Sequence, residues 1–141
     1  MHSAIKDTLG YWAHDFGYSS FRYCDGTPIA IGLDDGFGAS TNFTSSERAI
    51  ADFHVTIKWD NVSSNETVTV RVQAFMANGT ATSFEISRNS SGTYILNEHD
   101  LSGLWLDSSI DNPIVELRIS AKTTKAETMA AVFVYVWGSG R

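Results

Sequence analysis

Side chains able to do chemistry are few in this 141-residue chain, and their spacing keeps them apart. The one cysteine, Cys24, has no histidine near it in sequence, and no Gly-X-Ser-X-Gly elbow is present, so no nucleophile stands paired with a base. A single cysteine also excludes an internal disulfide and any multi-cysteine zinc site. The four histidines, His2, His14, His54 and His99, are scattered. Glu98-His99-Asp100 has the residue types of a metal site, but neighbours on extended backbone point to opposite faces and cannot converge on one ion. Asp34-Asp35-Gly36 offers the hard oxygens that suit calcium, without the ligand spacing of a calcium loop, and reads as a solvated turn. Gly32, Gly36 and Gly38 lack the strand-then-helix setting of a phosphate loop, and no carboxylate pair is singled out for glycoside hydrolysis. The expectation is a chain with no catalytic residue, no metal and no cofactor.

Binding chemistry is better represented. Tyr11, Trp12, Phe16, Tyr18, Phe21 and Tyr23 crowd together near the start, punctuated by Gly10 and Gly17, and such rings need cover. Either they fold back over their own domain or they dock on a neighbour; Tyr11, Trp12, Phe16 and Tyr18 are then the candidate partner-binding residues. A sugar-stacking platform is a third use of aromatic rings, with Trp12, Trp59, Trp105 and Trp137 available and most of these tryptophans expected in the core. Asn42, Asn61, Asn65, Asn78 and Asn89 each open an Asn-X-Ser/Thr sequon, which leaves only Asn97 and Asn112 outside one. In a secreted protein these would be glycan sites on exposed turns; they are also the residues that turns recruit for their own sake.

The scaffold that must position these groups reads as all-β. Apolar residues make up 43% and charged residues 18%, a balance that folds, and the length is that of one domain. A formal charge of −6 removes the phosphate attraction that nucleic-acid binding needs and disfavours an anionic membrane. No apolar run reaches the length of a membrane helix, and none near the start has the length of a signal peptide, so no export segment is expected.

Ala51, Phe53, Val55, Ile57 and Trp59 alternate with polar residues, as do Val68, Val70, Val72, Ala74 and Met76 beyond a turn at 60–65, and the two runs predict a long antiparallel hairpin. Asn78-Gly79 and residues 89–92 predict turns flanking short strands at 82–86 and 93–96, residues 101–106 a loop or short strand, and 114–121 a further amphipathic strand. Residues 128–137 are apolar on both faces, so the strand is covered twice within the fold or pressed on another subunit; Val132, Val134 and Val136 are the candidate interface residues. Short strands are also expected at 19–23 and 28–33, with a glycine-rich loop at 32–40. The expected architecture is an antiparallel β-sandwich, a jelly roll ahead of an immunoglobulin-like sandwich. Residues 1–47 form an extended aromatic-rich N-terminal arm with loops and short strands, and 48–141 the sandwich core.

In its small acidic chain, jelly-roll pattern from about Arg48 to Trp137 and aromatic N-terminal segment, the sequence resembles the head decoration (cement) proteins of tailed phages. The resemblance implies a non-enzymatic virion protein on the capsid surface, a homotrimer that binds the major capsid protein and stabilises the shell. A carbohydrate-binding module or adhesin with a glycan partner, and a glycosylated archaeal surface-filament subunit outside the cell, are the alternatives.

Overall fold

The computed structural model describes residues 19–23, 26–44 and 49–140, the first of these segments as backbone alone. Nine strands and one short helix follow in chain order: β1 (Ser19–Tyr23), β2 (Ile31–Gly32), β3 (Thr41–Phe43), β4 (Ile50–Asp60), β5 (Val68–Met76), β6 (Ala81–Arg88), β7 (Gly92–Ile95), α1 (Glu98–Trp105), β8 (Ile114–Thr123) and β9 (Ala131–Gly140). They form two sheets, in the orders β1-β9-β4-β7 and β2-β8-β5-β6, with β3 beside β2 on the same edge of β8. Antiparallel pairs nest along the chain, β1 with β9, β3 with β8, β4 with β7 and β5 with β6. The β4–β9 and β5–β8 ladders then join these pairs into sheets. Nested pairs rolled into two facing sheets are a jelly roll.

The alternation in sequence explains which faces meet. Phe53, Val55, Ile57 and Trp59 of β4, with Val132, Val134 and Val136 of β9, are buried against Val70, Val72 and Ala74 of β5 and Leu117, Ile119 and Ala121 of β8. Each valine, leucine, isoleucine or phenylalanine among them contributes roughly 1.5–3 kcal/mol on leaving water. Trp59 is wholly buried, and its indole N–H donates across the sandwich to the Val68 carbonyl at 3.2 Å, so the ring leaves no unsatisfied donor.

Three expectations are corrected. The runs at 51–59 and 68–76 do not pair with each other: β4 bonds to β7 and β9, β5 to β6 and β8. Both runs have one apolar face, and burying those faces against each other puts the strands in opposite sheets, with the 61–67 connection crossing between them. Residues 98–105 form a helix rather than a loop or strand. Its start is closed by a capping box in which the Asn97 side chain accepts from the Asp100 N–H and Asp100 accepts from the Asn97 N–H, a signal hidden in an Asn-X-X-Asp spacing. Val132, Val134 and Val136 are at most 2% exposed and face the core of their own protomer, so they are unavailable to a neighbouring subunit.

The crossing connection is locked by Glu66, a buried carboxylate. One oxygen accepts from the Ser63 N–H (3.0 Å) and hydroxyl (3.1 Å), the other from the hydroxyls of Thr123 and Thr128, both at 2.7 Å. Burial alone would raise the Glu66 pKa, but the hydrogen bonds to the charged form outweigh it and hold the group at about 2. The carboxylate therefore ties the 61–67 connection to the end of β8 and to the loop before β9.

Candidate functional site

Strand β9 alternates strictly, so what its valines leave on the far face decides what the sheet shows to solvent. Ala131, Phe133, Tyr135 and Trp137 lie there, all half-buried. Three rings at every second residue stand about 6.7 Å apart along one line. The neighbouring strand β4 supplies a polar row in register: Lys58 opposite Phe133, Thr56 opposite Tyr135, His54 opposite Trp137. On the other side of β4, Thr93 lies opposite Lys58 and Ile95, 65% exposed, opposite Thr56.

The contacts across this face are direct. The His54 and Trp137 rings stack with centroids 5.2 Å apart at 22°, and the Lys58 ammonium lies 5.9 Å from the centre of the Phe133 ring. His54 Nε2 is 3.4 Å from Asp52, and Lys58 Nζ 3.6 Å from Asp60, both pairs substantially exposed. Exposed pairs of this kind contribute little to stability, so their groups remain free to trade partners for a ligand. The result is a strip of rings bordered by donors and acceptors on a rigid two-strand platform.

The outer face of the opposite sheet has been claimed by the protein itself. The loop at 33–40 lies along β8, with the Asp34, Asp35 and Gly38 N–H groups donating to the carbonyls of Lys125, Thr123 and Ala121. Phe37 covers the Arg71 guanidinium at 4.0 Å and the Lys122 ammonium at 4.9 Å, and Arg118 stacks on Phe75 at 4.0 Å while bonding Glu116 at 2.6 Å. Lys122 also meets Asp35 at 3.0 Å. The Arg71 Nε and Ser120 Oγ atoms are buried on this face without a hydrogen-bond partner among the described residues. At one end of the sandwich a cleft of about 710 Å3 is lined by Ala49, Ile50, Ala51, Ala77, Trp105, Ser108, Ser109, Ile110, Pro113 and Val115.

The tryptophans divide as their environments dictate. Trp59 is core, Trp105 stacks on Phe53 at 5.1 Å and borders the cleft, and Trp137 belongs to the strip. Tyr11, Trp12, Phe16 and Tyr18 lie outside the described residues, as does Cys24. Asp100 is committed to the helix cap and to the Tyr94 hydroxyl, which donates to it at 2.5 Å and whose pKa is raised by that bond. Among the described residues no three histidine, cysteine, aspartate or glutamate side chains converge as metal ligands. The sequence did not single out Phe133 and Tyr135, because apolar residues on both faces of a strand read as cover within the fold or a subunit contact; the polar residues paired with them come from a strand over seventy residues earlier.

No protein-family model matches the chain, and no curated protein does. Among solved structures it is similar to a family 11 carbohydrate-binding module from Clostridium thermocellum, in complex with a β-1,3-1,4-mixed-linked tetrasaccharide. The identity is 12% and the TM-score 0.38, over 88% of this chain and 82% of that one.

Proposed function

We propose that this chain is a non-catalytic carbohydrate-binding domain working outside the cell or at its surface, and that the Phe133-Tyr135-Trp137 strip is its ligand platform. The observation that carries the reading is the alignment of those three rings beside His54, Thr56 and Lys58. The apolar C–H faces of pyranose rings stack on aromatic side chains, while their hydroxyls need both donors and acceptors at the rim. Asp52, His54, Lys58 and Asp60 supply that mixture. The even spacing along one strand suits a linear glycan laid along β9, with successive sugars meeting successive rings.

Binding of the full chain to a panel of soluble β-linked glucans, xylans and mannans, followed by titration calorimetry, tests this directly. The wild-type chain is expected to bind at least one class, and Tyr135→Ala and Trp137→Ala each to weaken that binding about tenfold or more, the scale of an aromatic anchor. Unchanged affinity in both variants would remove the strip from the site.

Capsid decoration is the second reading, and exposed apolar side chains favour it: Ile110, which lines the cleft, is 85% exposed, and Leu106, which follows the cleft residue Trp105, is 76% exposed. In that reading the cleft end meets a shell protein or another copy of the chain. Light scattering on the purified chain separates the two, since the carbohydrate reading functions as a monomer and the decoration reading expects a trimer.

A further inference from the structure

Sequons beyond chance gather on this fold, four of them in turns and one, at Asn42, in the short strand β3. With 17 serines and 13 threonines in 141 residues, one or two of the seven asparagines would begin a sequon at random; five do. All five, Asn42, Asn61, Asn65, Asn78 and Asn89, are exposed. Local turn chemistry accounts for Asn78, whose side-chain oxygen accepts from the Thr80 N–H at 3.0 Å and the Thr80 hydroxyl at 2.6 Å, closing a turn with its own sequon residue. At Asn61 turn chemistry accounts for the backbone, which is left-handed with φ 56°, a conformation asparagine tolerates, but it leaves the side chain unused: the Asn61 and Asn89 amides make no hydrogen bond among the described residues. The Asn65 side chain meets only the Ser63 hydroxyl, 2.8 Å from its oxygen, a hydroxyl whose one proton is shared with Glu66.

These three residues share one end of the sandwich. The Val62 N–H donates to the Ser91 hydroxyl at 3.2 Å, joining the 61–67 connection to the turn between β6 and β7. Thr67, the sequon hydroxyl of Asn65, lines one shallow recess with Ser87, Arg88, Asn89 and Ser90. No sequon falls within β4, β7 or β9, so no acceptor asparagine stands on the outer face of that sheet, and Asn61 comes next to Asp60 at its end.

We infer that Asn61, Asn65 and Asn89 are N-glycan acceptors that together cover this end of the sandwich and leave the aromatic strip open. In the modification, the amide Nδ2 forms a bond to the anomeric carbon of a lipid-phosphate-linked oligosaccharide presented by a transferase. The bond from that carbon to the phosphate oxygen breaks, the lipid phosphate leaves with the electron pair, and one Nδ2 proton passes to a base on the enzyme. An exposed asparagine in a turn, with a hydroxyl two residues on, is the geometry such an acceptor needs.

The test is expression of the full chain through a eukaryotic secretory pathway, with intact mass and peptide mapping of the total cell and medium material before and after peptide-N-glycosidase digestion. Glycan mass above the unmodified 15.5 kDa, with asparagine converted to aspartate at 61, 65 and 89 on digestion, is the expected result. The Asn61→Gln/Asn65→Gln/Asn89→Gln variant should lose that mass, and the wild-type peptide map decides the matter whether or not the variant folds. An unmodified mass, or occupancy confined to Asn42 and Asn78, would overturn the inference. Because mass is the readout, neither result depends on whether the strip binds sugar.

Discussion

Glu66 shows how one side chain can hold a crossing between two sheets. Replacing it with alanine strands the buried hydroxyl of Thr123, the partly buried hydroxyl of Thr128 and the Ser63 N–H, which predicts a loss on the order of 3 kcal/mol in denaturant unfolding. The same group sets an acid response. Its folded pKa of about 2 lies below the unfolded carboxylate value, so the stability it supplies is complete above about pH 5 and is lost as pH falls toward 2. Thermal melts across that range should show the decline in the wild type and a flatter profile in Glu66→Ala. Gly32 is a second such point: a Cβ there would lie 1.7 Å from the Gly36 carbonyl oxygen and 2.4 Å from the Gly38 nitrogen, both backbone atoms that cannot swing aside. Gly32→Ala should therefore cost about 2–3 kcal/mol and loosen Phe37 from Arg71, seen as a lower melting temperature and a shifted Phe37 ring signal.

At the level of elements, period-two alternation exposed β4, β5, β6, β8 and β9 in the sequence, because each buries one face and the pattern is local. Pairing was not legible for the same reason. Nothing in the alternation of 51–59 says whether its partner is the next strand or β9, and the turn-forming residues at 60–65 serve a crossing as readily as a hairpin. Helix α1 was hidden by its brevity and its weak apolar stripe, yet its cap is well defined. Asn97→Ala should cost about 1 kcal/mol, measurable as a loss of helix signal near Tyr94 and Leu104 before global unfolding. The strip proposed as the ligand platform was half legible: Trp137 stood among the candidate sugar-stacking rings, whereas the valines between the strip's rings, candidates for a subunit interface, are core. The distinction rests on which face of β9 meets β5 and β8, and only the assembled sandwich decides it.

Across the whole molecule, the two outer faces divide their labour. One sheet spends its arginines, lysine and phenylalanines on one another beneath the 33–40 loop; the other lines up three rings beside polar groups held in loose exposed pairs. The proposed binding role draws on that asymmetry, and residue-resolved titration tests it. With isotope-labelled full chain and the oligosaccharide that binds best, amide and ring NMR signals of Phe133, Tyr135, Trp137, His54 and Lys58 should shift together and saturate at one affinity. Signals that stay still with every glycan, or shifts centred on Arg71, Arg118 and Lys122 instead, would contradict the assignment of this face.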